Sequence, residues 1–292
     1  MAVKSEFKKI AVIGIGMIGG SIAMAVRKKI PEAEITGIDT DSRSLSYALK
    51  NKFIHKGMKP SISNYKLLSD CSIIVIAGPV NMIAETAVSV LPYLSDKTIL
   101  TDTGSVKEKI VREIEKKCGK KSRFIGSHPL AGVENSGITA ASNTIIEGKK
   151  VIITPSAGTP SGILAATKKF WSAIGMKPVV TSPEEHDTLL AVTSHLPHVL
   201  AYLLMNTISS TKRQSIDPLT FAGSGFKDFT RIAKSDPELW AQIVLANREQ
   251  VLDAISKFEK NLSELRRAIK KSDAGFIKHE FRKARELRKK IK

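Results

Sequence analysis

The chain has 292 residues, with 46 Lys and Arg against 28 Asp and Glu, for a formal net charge of +18. Hydrophobic residues make up 42%, which excludes a disordered chain, and no uninterrupted apolar run approaches the ~20 residues of a membrane-spanning helix. The two cysteines, Cys71 and Cys118, exclude a disulfide scaffold and a four-cysteine zinc site and fit a reducing cytoplasm.

The first half alternates strand and helix signals. Lys9–Gly14 is a short apolar run entering glycines rather than the apolar core of a signal peptide. Ile18–Lys29 reads as a helix, Glu34–Asp39 as a strand and Ser42–Asn51 as a short helix. Ser72–Val80 is a buried strand closed by Gly78-Pro79, and Met82–Tyr93 is helical. Thr98–Thr103 is a strand, followed by Gly104-Ser105 and a helix through Lys117. Phe124–His128 and Lys149–Thr154 are strands, and Lys177–Thr181 follows a helix over Thr159–Ile174. The alternation predicts βαβ units and a parallel sheet covered on both faces.

From Pro183 the signals are helical only. Ser235-Asp236-Pro237-Glu238 is a helix start, with a capping side chain, proline in the first turn and an acid at the positive helix end. Val244, Val251, Ile255, Phe258, Leu262, Leu265 and Ile269 follow heptad-like spacing and predict one long helix packed along another. From Lys260 onward there are thirteen Lys and Arg against four Asp and Glu, half of the net charge. There Ile277, Phe281, Ala284, Leu287 and Ile291 form a helical stripe with basic residues on the other faces, the pattern of a solvated amphipathic helix. Aromatics are too few for a base-stacking surface, so nucleic acid is not an expected partner.

Gly14-Ile15-Gly16-Met17-Ile18-Gly19 fits G-x-G-x-x-G between a predicted strand and helix. Gly14 permits the tight turn, Gly16 the close approach of a pyrophosphate, and Gly19 the packing of helix on strand; Met17 and Ile18 open the helix whose N-terminus faces the phosphates. Asp39 ends the next strand, where an acid accepts from ribose hydroxyls and repels a 2′-phosphate. The expected cofactor is therefore NAD, with Arg43 nearby as a moderating charge. Gly78 and Pro79 end a strand at the crevice, beside the nicotinamide ribose or simply closing the strand. The fold class is thus an α/β Rossmann-type dinucleotide-binding domain, residues 1–182, followed by an all-α substrate and dimerisation domain, residues 183–292.

His128, in Gly126-Ser127-His128-Pro129-Leu130-Ala131-Gly132, follows a strand at the mouth of that crevice. An imidazole there suits the base that an alcohol oxidation needs. Ser105 reads as the cap of the following helix or as a hydroxyl that orients the base. His195 and His198 share a helix face around Pro197, but no acid or cysteine completes a metal site, and none is expected. Arg231, in Gly225-Phe226-Lys227-Asp228-Phe229-Thr230-Arg231, has a guanidinium fork suited to a carboxylate.

These segments, with Ser194-His195-Leu196-Pro197-His198, resemble the prephenate/arogenate dehydrogenase family of tyrosine biosynthesis, from about Lys9 to Ile269. The resemblance implies oxidative decarboxylation of prephenate to 4-hydroxyphenylpyruvate with hydride transfer to NAD, or of arogenate to tyrosine. It implies His128 as the base for the substrate hydroxyl, Ser105 bonded near that hydroxyl, and Arg231 on a substrate carboxylate. It also implies His195 beside the substrate, Lys227 and Asp228 at the site entrance, and a homodimer formed by the helical half. Prephenate, with two negative charges, suits a basic chain better than arogenate. The length leaves no room for a fused mutase or regulatory module, and a cytoplasmic enzyme without membrane partners is expected.

Overall fold

The computed structural model describes residues 6–119, 123–131, 137–210 and 217–291. Strands β1 (Lys9–Ile13), β2 (Glu34–Ile38), β3 (Lys56–Met58), β4 (Ile73–Ile76), β5 (Ile99–Asp102), β6 (Phe124–Pro129), β7 (Lys150–Thr154) and β8 (Lys177–Val180) form one sheet. Their order is β3-β2-β1-β4-β5-β6-β7-β8. Between them run α1 (Met17–Lys29), α2 (Ser42–Lys50), α3 (Ile62–Lys66), α4 (Ile83–Val90), α5 (Glu108–Cys118), α6 (Asn143–Ile146) and α7 (Ser161–Ala173).

The central strands are continuous apolar runs because both faces are covered. Along β1, Ile10 and Val12 enter one apolar cluster, with Ile22 and Trp171, while Ala11 and Ile13 enter the other, with Ile74 and Ile114. That is the two-residue period of a strand buried on both sides.

The sheet departs from the expected all-parallel arrangement at one place. β6 and β7 are antiparallel, with Gly126 opposite Thr154 and Pro129 opposite Val151. Among the described residues between them no crossover helix forms; the short α6 packs on α1 instead, and β7 pairs antiparallel with β6. β3 was not expected, since three residues reading Lys-Gly-Met carry no strand pattern. Most observed strands are also shorter than their apolar runs, Ser72–Val80 contracting to Ile73–Ile76.

The helical half begins where Ser182 caps α8 (Pro183–Leu190), its hydroxyl accepting the Glu185 N–H at 3.1 Å. A π-helical turn, Ala191–His195, joins α8 to α9 (Leu196–Ser210). The widened turn sits just before Pro197, which lacks the N–H a regular helix would use. The joined helix Pro183–Ser210 contains an 18-residue window of mean hydropathy 1.4, long and apolar enough by composition alone to cross a membrane. His186, Asp187, His195 and His198 interrupt its apolar run in sequence. Then follow α10 (Ser224–Thr230), α11 (Pro237–Ala246), α12 (Arg248–Lys270) and α13 (Ala274–Lys289).

Asp236 caps α11 through the N–H groups of Glu238 and Leu239, as its sequence predicts. The expected single long helix through Val244 and Val251 is instead broken at Asn247, which has a non-helical backbone. The chain divides into two compact units, Met1–Asn247 and Arg248–Lys292. The first extends past the change in secondary structure at Ser182 because α8 packs on α5, and α11 on the turn after β4.

Candidate active site

β1 lies between β2 and β4, where the strand order reverses, so a ligand crevice opens beyond the C-terminal ends of β1 and β4. The glycine motif lines this crevice. Gly14 has φ +94°, and a Cβ there would stand 2.6 Å from the Ala77 carbonyl oxygen, so the turn packs directly on the end of β4. A Cβ at Gly19 would overlap the Gly14 carbonyl oxygen at 1.8 Å. At Gly16 and Gly78, by contrast, a Cβ would meet nothing within 4 Å. Gly16 heads α1 without any side-chain cap, so the N–H groups of Met17 and Ile18 open the helix at its positive end. The donor set and the open cradle fit a pyrophosphate.

Asp39 ends β2 as predicted, but its carboxylate also serves the turn. One oxygen accepts the Ile15 N–H at 2.6 Å and the other the Asp41 N–H at 2.7 Å. Each oxygen retains a lone pair for a ribose hydroxyl. Arg43 is exposed and paired with Asp41. Pro79 leads into a short 3-10 turn, Val80–Met82.

His128 lies on β6, half-buried. The residue before it, Ser127, is pinned by a buried ion pair. Asp102 pairs with Lys107, both fully buried, and takes the Ser127 N–H at 2.9 Å. Lys107 Nζ donates to the Ser127 carbonyl at 3.0 Å, and Trp171 Nε1 to the Ser127 hydroxyl at 3.1 Å. Burial, then His186, Lys107 and His195, hold the His128 pKa well below 6.5, so this imidazole is neutral at neutral pH. Its Nδ1 lies 2.9 Å from His186 Nε2, and His186 Nδ1 lies 2.7 Å from Asp187 Oδ1.

Ser105 lies at the end of β5 but does not cap α5, which corrects the helix-cap expectation. The first N–H groups of that helix are taken from across the molecule: Asp187 accepts from Lys107 N at 2.8 Å and Glu108 N at 2.9 Å. The serine hydroxyl is thereby left for other work.

His195 is 1% exposed. Burial pushes its pKa down to about 4, and its Nδ1 lies 3.1 Å from Asn247 Nδ2, which also donates to the Asp187 carbonyl at 2.8 Å. Asn247 leaves the helix path to make these bonds, which is why the predicted long helix breaks there. His198 is partly open and stacks on Trp240 at 3.4 Å between centroids. Burial lowers its pKa, and the charge of Arg231 adds to that effect. Lys227 and Asp228 are exposed on α10, and Arg231 follows it. Gly132, the end of the His128 motif, lies outside the described residues. His186, Asp187, Asn247, Trp240 and the Asp102–Lys107 pair belong to this cluster without being foreseen from the sequence. The signal in the sequence was three histidines, with Asp187 beside the first, on one mainly apolar helix.

An open doubly wound sheet with a glycine-lined crevice, a neutral histidine at a strand end and a helical half define a dinucleotide-fold oxidoreductase. Residues 22–180 match the nucleotide-binding domain of prephenate dehydrogenase, and residues 182–283 its dimerization domain. The chain belongs to the prephenate dehydrogenase family. It is 32% identical to cyclohexadienyl dehydrogenase of Zymomonas mobilis, over 98% of this chain and 97% of that one. It is 33% identical to prephenate dehydrogenase of Bacillus subtilis, over 96% of this chain and 75% of the relative. Among solved structures it resembles prephenate dehydrogenase from Aquifex aeolicus in complex with hydroxyphenyl propionate and NAD+, with TM-score 0.91, 35% identity, and coverage of 99% and 100% of the two chains. It also resembles Synechocystis arogenate dehydrogenase, with TM-score 0.84, 26% identity, and coverage of 97% and 100%.

Proposed function

We propose that this chain is an NAD-dependent prephenate dehydrogenase, converting prephenate to 4-hydroxyphenylpyruvate in the cytoplasm as a homodimer. The observation that carries the reading is His128, a neutral imidazole near the end of β6, held through its ring by His186 and through the pinned backbone of Ser127 before it. NAD+, when bound, supplies the hydride acceptor. Gly14, Gly16, Met17, Ile18 and Gly19 hold its pyrophosphate through backbone N–H groups, Asp39 its ribose, and Gly78-Pro79 border the nicotinamide end. His128 accepts the proton of the substrate hydroxyl as the C4 hydrogen and the C1 carboxyl leave and the ring becomes aromatic. Ser105 hydrogen-bonds near that hydroxyl. Arg231 grips a substrate carboxylate and Lys227 attracts it at the entrance. His195 supplies an Nε2–H donor, because Asn247 fills its Nδ1. Residues 1–182 carry the cofactor and 183–292 the substrate and dimer contacts. The exposed side chains of Leu189, Val192 and Leu203 on the Pro183–Ser210 helix support its burial against a second copy.

The choice of prephenate over arogenate rests on the basic chain. It is tested by crossing NAD and NADP with prephenate and arogenate and following reduced-nicotinamide absorbance. The highest kcat/KM is expected for NAD with prephenate; a preference of about a hundredfold for arogenate would overturn the substrate. Sedimentation at micromolar concentration tests the dimer, and a monomer there would overturn it.

A further inference from the structure

We infer that His186, oriented by Asp187, is a positioning residue that locks His128 in the tautomer able to act as a base. The inference rests on the dehydrogenase reading above and deepens it. The hydrogen-bond directions follow from elimination along the chain of groups. Asp187, as a carboxylate, only accepts. Its Oδ1 takes the Lys107 N–H and lies 2.7 Å from His186 Nδ1, so that nitrogen must carry a proton. Neutral His186 then has a bare Nε2, an acceptor. At 2.9 Å from it, His128 Nδ1 must be the donor. Neutral His128 is left with its lone pair on Nε2, the nitrogen turned away from the relay.

The anchor of this relay is rigid for a reason unrelated to histidine chemistry. Asp187 is fastened by two N–H groups at the start of α5, through Lys107 and Glu108, and by Asn247 on its carbonyl. His186 is fully buried and held edge-on to His128, with ring centroids 5.1 Å apart. When His128 takes the substrate proton on Nε2, the positive charge is shared through Nδ1–H to His186 and on to the Asp187 carboxylate. No proton need leave the relay during the step. Among the described residues, the charged and titratable groups that act on His128 are His186, Lys107 and His195. Only His186 accepts from it, whereas Lys107 opposes the imidazolium.

The same elimination gives a separate assignment at His195. Asn247 Nδ2 donates both to the Asp187 carbonyl and to His195 Nδ1, so His195 carries its proton on Nε2. The two tautomers therefore differ within one buried cluster, and that difference is observable without turnover.

The first test is long-range 15N–1H spectroscopy of 15N-histidine-labelled whole protein, with peaks assigned by His128→Asn and His186→Gln. Expected are His128 and His186 protonated on Nδ1 and His195 on Nε2. A His128 proton on Nε2 overturns the inference, whether or not the protein turns over prephenate. The second test is steady-state kinetics with prephenate and NAD. His186→Leu should lower kcat about ten- to hundredfold with KM within threefold, and move the acid limb of kcat/KM to lower pH. His186→Gln, whose carbonyl can accept the Nδ1–H, should recover part of kcat. Wild-type kcat and pH profile in His186→Leu would overturn the positioning role. If that variant does not fold, the tautomers of the wild-type chain decide. A wild type inactive on both prephenate and arogenate would overturn the functional reading while leaving the relay to be judged by its tautomers.

Discussion

Gly16 and Gly19 stand three residues apart in one motif, yet a methyl group should affect them in opposite ways. At Gly16 the backbone has φ −85° and ψ −154°, which alanine adopts freely, and its Cβ would meet nothing within 4 Å. Gly16→Ala should therefore change unfolding free energy by less than about 1 kcal/mol, or at most about 2–4 °C in Tm. The methyl enters the space in which a pyrophosphate approaches the helix start. Losing that approach should weaken NAD at least about tenfold, or about 1.4 kcal/mol. At Gly19 the added carbon would lie 1.8 Å from the Gly14 carbonyl oxygen, so α1 must lift from β1. Gly19→Ala should cost about 3 kcal/mol through overpacking of backbone on backbone. Calorimetric titration of NAD and thermal unfolding of both variants separate these outcomes. Equal destabilisation of the two, or unchanged NAD affinity in Gly16→Ala, would refute the division of labour between cradle and packing glycine.

Other perturbations follow from the same geometry. Lys107→Met removes one member of the buried pair with Asp102 and leaves a buried carboxylate without its cation; denaturant titration should show a loss of about 3–5 kcal/mol. Arg231→Ala should raise the KM for prephenate with little change in NAD affinity, and an unchanged KM would count against its carboxylate role. His128, His186, His195 and His198 all have pKa values lowered by burial, so the unfolded chain binds protons that the folded one refuses. Stability should be full above pH 6.5, the ordinary histidine value, and fall as pH drops toward 4, where His195 titrates in the fold; His195 alone contributes about 3 kcal/mol. Unfolding free energies equal at pH 7 and 4.5 would contradict these burials.

The alternating strands, the glycine motif and the histidine at the end of β6 were legible because each is written within a few consecutive residues. β1 shows its double burial in Lys9–Ile13, and Ser182-Pro183 and Asp236-Pro237 announce their helices through local capping chemistry. What escaped notice depends on partners far apart in the chain. Nothing near Glu108 says that the cap of α5 is Asp187, and nothing in the heptad-like spacing says that Asn247 will leave the helix to bond the Asp187 carbonyl. The antiparallel pairing of β7 with β6 is not announced by the apolar content of either strand. At the site, the family resemblance implied His195 beside the substrate, but the helix face it shares with His198 could not reveal which of the two rings Asn247 draws inward. The basic segment after Lys260 carries half of the charge, and its apolar side chains Phe281, Leu287 and Ile291 are exposed on the isolated chain.

The central claim is that His128 takes the substrate proton in an NAD-dependent oxidation of prephenate. It is tested most directly by comparing wild type with His128→Asn under saturating prephenate and NAD, with NAD affinity measured on the same samples. The account predicts that the variant binds NAD within about twofold of wild type while kcat falls by about 10²–10⁴. A variant that turns over prephenate at a rate near wild type would contradict it.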